Sequence, residues 1–236
     1  MRYEVDGAVW QAAPEICFGV VAAVDIHPLD GAQAWSQRLE EAVVRNAARR
    51  TERIKDDPAV VPYRDLVRTL GMNPNRYPPS LEALLTRIVK GKGLPSVSPL
   101  VDAVNVVSLT CDVPIGAHDA ATLTDGVLIV RPAREGDTFI PFGSSAAEHP
   151  DTGEIVYASA ASVRTRRFIW RQSECGKITD TTTRALFPID GAVGTRARVE
   201  AAVRMLGDIL ATDFGAQVRC GLLTATTPVW EWADER

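Results

Sequence analysis

Nine apolar residues in a row, Ile16-Cys17-Phe18-Gly19-Val20-Val21-Ala22-Ala23-Val24, constrain this chain more than any other segment. The run is too short to span a bilayer, which takes about 20 residues of helix, and it is rich in β-branched side chains. It predicts a strand buried on both faces and central in a sheet. The chain has 236 residues, 46% of them apolar, enough to build the core such a strand requires.

Helical patterns follow. From Ala32 to Lys55, Trp35, Leu39, Ala42, Val43 and Ile54 recur between charged positions until Asp56-Asp57-Pro58, which predicts a helix covering one sheet face. A second helix is expected over Val61–Leu70, and a third over Leu81–Val89 with Ser80 as its N-cap. Ser98-Pro99 reads as N-cap and first helical residue of a fourth, running to about Thr110, with Asp102 and Asn105 on one polar face. Beyond His118 the texture turns to strands: Val127–Val130, Thr138–Phe142, Glu154–Ser159, Arg167–Trp170 and Ala185–Ile189. A long helix over Thr195–Thr212 and a strand over Val218–Thr224 complete the pattern. Helices segregated from strands predict an α+β fold, with mixed sheet and helices packed on one side, as a single domain over residues 1–236.

A net charge of −4 excludes a uniformly basic nucleic-acid coat, so any RNA contact must come from a local patch. The N-terminal Met1-Arg2-Tyr3-Glu4-Val5-Asp6 lacks the regions of a secretory signal, and the expectation is a cytoplasmic protein without a membrane segment. Cys17, Cys111, Cys175 and Cys220 are scattered, as are His27, His118 and His149, and no spacing suits zinc. No nucleotide loop, serine elbow or metalloprotease motif occurs, so neither metal nor cofactor is expected.

Four constellations carry possible chemistry. Arg64, Arg68, Arg76, Arg87, Lys90 and Lys92 form a basic cluster that suits a phosphate backbone or is an ordinary solvated face. In Gly116-Ala117-His118-Asp119, a histidine beside a carboxylate can position water or be purely structural. Within Arg164–Gln172, alternation along a strand sends Arg167, Ile169 and Arg171 to one face and Phe168 and Trp170 to the other. There the cations can grip phosphate and the aromatic groups stack a base, or the strand is simply half-buried. The hydroxyls of Thr179-Asp180-Thr181-Thr182-Thr183 can line a polar pocket or cap a turn.

The stretch Val97-Ser98-Pro99-Leu100-Val101-Asp102-Ala103-Val104-Asn105, continuing through Pro114-Ile115-Gly116-Ala117-His118-Asp119, resembles the B3/B4 editing domain of the phenylalanyl-tRNA synthetase β subunit. The similarity extends through Gly126–Ala133 with Gly136-Asp137, and from Val61-Pro62-Tyr63-Arg64 to Trp170-Arg171-Gln172 the chain is similar to freestanding B3/B4 proteins. The resemblance implies binding of the aminoacylated 3′ end of tRNA and hydrolysis of a misplaced amino acid, with a non-catalytic RNA-binding or amino-acid-sensing module as the alternative. It implies catalytic roles for His118, Asp119, Thr179 and Thr182, and RNA or substrate contacts from Arg64, Lys92, Asp102, Asn105, Arg164, Arg167, Trp170 and Arg171. Departures are specific. His118 stands two positions later than the family's histidine, Phe168–Gln172 replaces a glycine-rich loop, and Asp190 is a loose counterpart of the family's acidic residue. The amino acid recognised is therefore expected to differ from the synthetase's.

Overall fold

The structure is a computed structural model, and it describes residues 1–233. In chain order the elements are β1 (Arg2–Val5), α1 (Gly7–Ala12), β2 (Cys17–Val24), α2 (Trp35–Arg49), α3 (Val61–Thr69), α4 (Ser80–Val89) and α5 (Pro99–Cys111). Then come β3 (His118–Asp119), β4 (Val127–Pro132), β5 (Ile155–Ser159), β6 (Ser162–Arg166), β7 (Arg171–Gln172), β8 (Arg184–Gly191), α6 (Arg196–Asp213), β9 (Gln217–Leu223) and β10 (Val229–Glu231). The fold is α+β, with two sheets.

The smaller sheet is antiparallel, in the order β3-β8-β2-β9, and every residue of β2 is buried, as its composition predicts. Strand alternation sends its two sets of side chains to different neighbours. Gly19 faces α6, where a Cβ would come within 2.5 Å of Val203 Cγ2 and 2.8 Å of Val199 Cγ1. Glycine thus sets how closely the helix sits on the sheet. Phe18, on the other face, meets Tyr3 and Phe168 edge-on, which brings the second sheet against the first.

That larger sheet runs β10-β1-β4-β5-β6-β7, with β1 parallel to β4 and the other pairs antiparallel. Arg2 pairs with Val127 on one side and Glu231 on the other, and the backbones of Met1 and Trp232 exchange hydrogen bonds at 2.7 and 2.8 Å. A satellite core of Ala133, Phe139, Val156, Ala158 and Val163 lies under the 133–154 connection.

Three boundaries depart from the sequence reading. Helix α2 ends at Arg49, because Arg50 turns extended and its buried guanidinium pairs with Asp57 and Asp112. Its main packing partner is α5, and α6 is the helix on the smaller sheet. Thr138–Phe142 makes isolated bridges without forming a strand. Residues 167–170 form a tight corner between β6 and β7, with Arg167 and Phe168 left-handed at φ 50° and 63°. The alternation expected there does not hold. Ser80 starts α4 without a side-chain cap, and its backbone N–H donates to Ile169 O at 2.8 Å, tying the helix to this corner. Ser98 does cap α5, accepting from Val101 N.

Candidate functional site

Where the sheets face each other at one edge, they leave a pit of 60 Å³. Its floor is buried and holds His118, Tyr157, Phe168 and Asp190; its rim, partly exposed, holds Ser80, Trp170, Arg171 and Gln172. Beside it lies an open cleft of 660 Å³ between α5 and the 177–180 segment, and Ile115 and Gln172 border both.

Strand register explains the floor. On β8, Leu186, Pro188 and Asp190 share a face; His118 pairs with Leu186 and Phe18 with Asp190, so all of these point between the sheets. Tyr157 comes from the opposite sheet and donates a short hydrogen bond to Asp190 Oδ1, while its hydroxyl also meets that of Tyr3 at 3.2 Å. Burial pushes the Asp190 carboxyl up to about 7, and the Tyr157 hydrogen bond acts the other way.

His118 is 1% exposed, stacks on Tyr157 at 6.1 Å, and has no hydrogen-bond partner at either ring nitrogen within the protein. Its Nε2 lies against Gly116, where a Cβ would stand 3.2 Å from it and 2.9 Å from Pro188 Cγ. Burial, with the Arg164 guanidinium adding to it, pulls the imidazole down to about 3. It is uncharged near neutrality and can accept one hydrogen bond and donate another.

The other expected site residues separate into groups. Asp119, next on β3, turns away from His118 and instead caps Ala121 N and accepts from Thr182 Oγ1 at 2.8 Å. The histidine–carboxylate pair expected from adjacency is therefore not formed, because neighbouring strand residues face opposite ways. Thr182 also accepts from Thr179 N at 3.0 Å, so it braces its own turn; Thr179 itself borders the cleft, opposite Asn105. Asp102 is buried and takes hydrogen bonds from Ser96 Oγ and Val97 N, closing the chain before α5 and leaving the polar face to Asn105.

Among the cations, Arg64 is buried and holds both carboxylate oxygens of Glu82, at 2.7 and 2.8 Å, together with Asn75. It is a brace between α3, α4 and the turn after α3, with no surface to offer a phosphate. Arg164 is buried as well and bonds Thr122 O and Oγ1. Lys92 is exposed, but it lies past the far end of α4 from Ser80, roughly 15 Å along the helix. Beside Trp170 and Arg171 of the rim gather Tyr77, Arg76 and Arg167. Tyr77 and Trp170 meet edge-on at 4.9 Å, and Arg167 lies 3.8 Å over the Tyr77 ring while also pairing with Asp151. Arg171 has no carboxylate partner among the described residues.

Sequence reasoning did not single out Tyr77, Tyr157 or Gln172, whose Nε2 donates to Ala117 O at 2.6 Å. Asp190 carried a readable signal: a carboxylate closing the apolar run Ala185–Ile189, where a charge has no bland place. The cysteines are free, with Cys17 and Cys111 buried, Cys175 partly exposed and Cys220 exposed. No described helix is long and apolar enough to cross a membrane.

Among curated proteins, none matches this sequence. A solved N-terminal fragment of the phenylalanyl-tRNA synthetase β subunit from Pyrococcus horikoshii is similar at 12% identity and a TM-score of 0.46. The match covers 92% of this chain and 50% of that one, so the chain spans half the fragment's length. A family model described as the B3/4 domain matches residues 62–207, which takes in α4, α5, the pit's buried floor and its rim. That match spans more than half of the sequence, and the chain belongs to the B3/4 domain family.

Proposed function

We propose that this protein binds the aminoacylated 3′ end of tRNA and hydrolyses a misplaced amino acid from it. The observation that carries the reading is the pairing of a roomy cleft with a small pit at its side, whose buried floor holds His118 and Asp190, under an aromatic and cationic rim, in a B3/4 domain. The terminal nucleoside occupies the cleft beside Asn105 and Thr179. Tyr77 and Trp170 offer faces for a base, and Arg171 and Arg76 offer charge to phosphates. The ester then lies near Ile115 and Gln172, where cleft and pit adjoin.

Water adds to the ester carbonyl, the carbon–oxygen bond to the ribose breaks, and the amino acid leaves as a carboxylate with one proton released. An aminoacyl ester is already activated, so positioning and modest proton-transfer help, about 10²–10⁴-fold, are enough without a covalent nucleophile. His118, uncharged near neutrality with one ring N–H and one bare nitrogen, serves as a positioning group for the water or the ester.

One observation favours a second reading, a binding module without hydrolysis: Asp119 is turned away from His118, so the expected acid–base pair is absent. Incubating catalytic amounts of protein with a panel of mischarged tRNAs decides between them. Multiple turnovers of released amino acid support the hydrolase; saturable tRNA binding without release supports the module.

A further inference from the structure

We propose that the pit is a side-chain pocket that selects a small, hydroxyl-bearing amino acid, of the serine or threonine class, and excludes aromatic ones. The inference rests on the tRNA-editing reading for the ligand's identity and on the pit alone for its chemistry.

Size is the first argument. A protein cavity of about 150 Å³ holds a benzene ring, and the pit measures 60 Å³, less than half of that. A hydroxymethyl or hydroxyethyl group fits; a phenyl or phenol ring does not. The pit's walls resist enlargement, because Pro188 and the Gly116 backbone close one side and Phe168, stacked on Tyr157, closes another.

Hydrogen-bonding capacity is the second. His118 is buried and presents two unpartnered ring nitrogens, one a donor and one an acceptor whichever tautomer it adopts. Asp190, already bonded by Tyr157, keeps acceptor capacity on its carboxylate. A ligand group serving this floor must be able both to donate and to accept. A hydroxyl does both. A methyl does neither, and an ammonium cannot accept. A site whose buried polar groups await a hydroxyl discriminates strongly against the analogue lacking it, since those groups are then left unpaired.

The test uses non-hydrolysable 3′-aminoacylamino-3′-deoxyadenosines carrying seryl, threonyl, alanyl, tyrosyl or phenylalanyl groups, titrated calorimetrically into the whole chain. The seryl or threonyl compound is expected to bind about ten- to hundredfold tighter than the alanyl one, as for loss of a hydrogen bond to a buried partner. The aromatic compounds are expected to bind no better than the alanyl one. Gly116→Ala, whose added methyl meets Pro188 and His118, should erase the seryl preference while a thermal melt shows the variant folded. Tyrosyl or phenylalanyl compounds binding as tightly as seryl, alanyl matching seryl, or no seryl binding at all would each overturn the proposal. The two readings fail separately. Seryl preference without serine release from seryl-tRNA sinks only the hydrolase, and tyrosine release without seryl preference sinks only the pocket.

Discussion

Asp190→Asn should make the protein's stability less dependent on pH, in a direction set by where the carboxyl sits. In the fold it ionises at about 7, because burial penalises the charged form, against 3.8 when free of that burial. A raised folded value means stability that is full below 3.8 and lost as pH rises through 7. The whole gap corresponds to about 4 kcal/mol, and the part falling between pH 5 and pH 8 to about 3 kcal/mol. The titratable groups facing Asp190 do not confuse this window: burial holds His118 at about 3, and Tyr3 and Tyr157 are pushed well above the usual phenol range. Asparagine keeps an oxygen for the Tyr157 hydroxyl and cannot ionise. Urea unfolding of both proteins across pH 5 to 8 should therefore show the variant gaining on the wild type by about 3 kcal/mol as pH rises. Parallel stability curves would mean that Asp190 ionises as freely in the fold as outside it, and the account of a buried, poorly solvated carboxyl would be wrong.

Arg64→Ala should cost about 3–5 kcal/mol in denaturant unfolding, because it strands Glu82 in the interior; an unchanged midpoint with weakened tRNA binding would restore Arg64 as a phosphate contact. Gly19→Ala should cost about 1–3 kcal/mol by forcing α6 off the smaller sheet, and a neutral effect would show that Val199 and Val203 yield more easily than their packing implies. Arg171→Ala should weaken binding of several tRNAs alike and flatten a salt dependence that is otherwise steep between about 50 and 200 mM; loss confined to one tRNA would point to base reading.

Much of this fold could be read before any coordinates, where a segment's own composition decides its fate. β2, β4, β5, β8 and α6 lie close to their expected bounds because apolar runs and helical stripes leave few alternatives. The failures are places where a distant partner decides. Nothing local to Arg50 announces that Asp112 will draw it out of the helix. Arg167 and Phe168 alternate with their neighbours as a strand should, yet the chain turns left-handed there so that Phe168 can reach the inter-sheet core. The site behaved likewise. Residue types were sound guides to polarity, but Arg64, Asp102 and Arg164 spend it inside the fold, and His118 and Asp119 are parted by the two-residue period of a strand.

The place of β1 bears on how this molecule comes to be folded. Arg2 sits between Val127 and Glu231, so a strand made at the start of the chain has its parallel neighbour more than a hundred residues away and its antiparallel one more than two hundred. Pairings of that range close large loops before they gain anything, and proteins rich in them fold slowly. The larger sheet, with one wall of the pit on β5, can take its final form only after β10 is available, and until then β1, which carries Tyr3, is an open edge. Refolding followed through Trp230, the tryptophan of β10, should thus report the last event, arriving after the smaller sheet and α6 have joined.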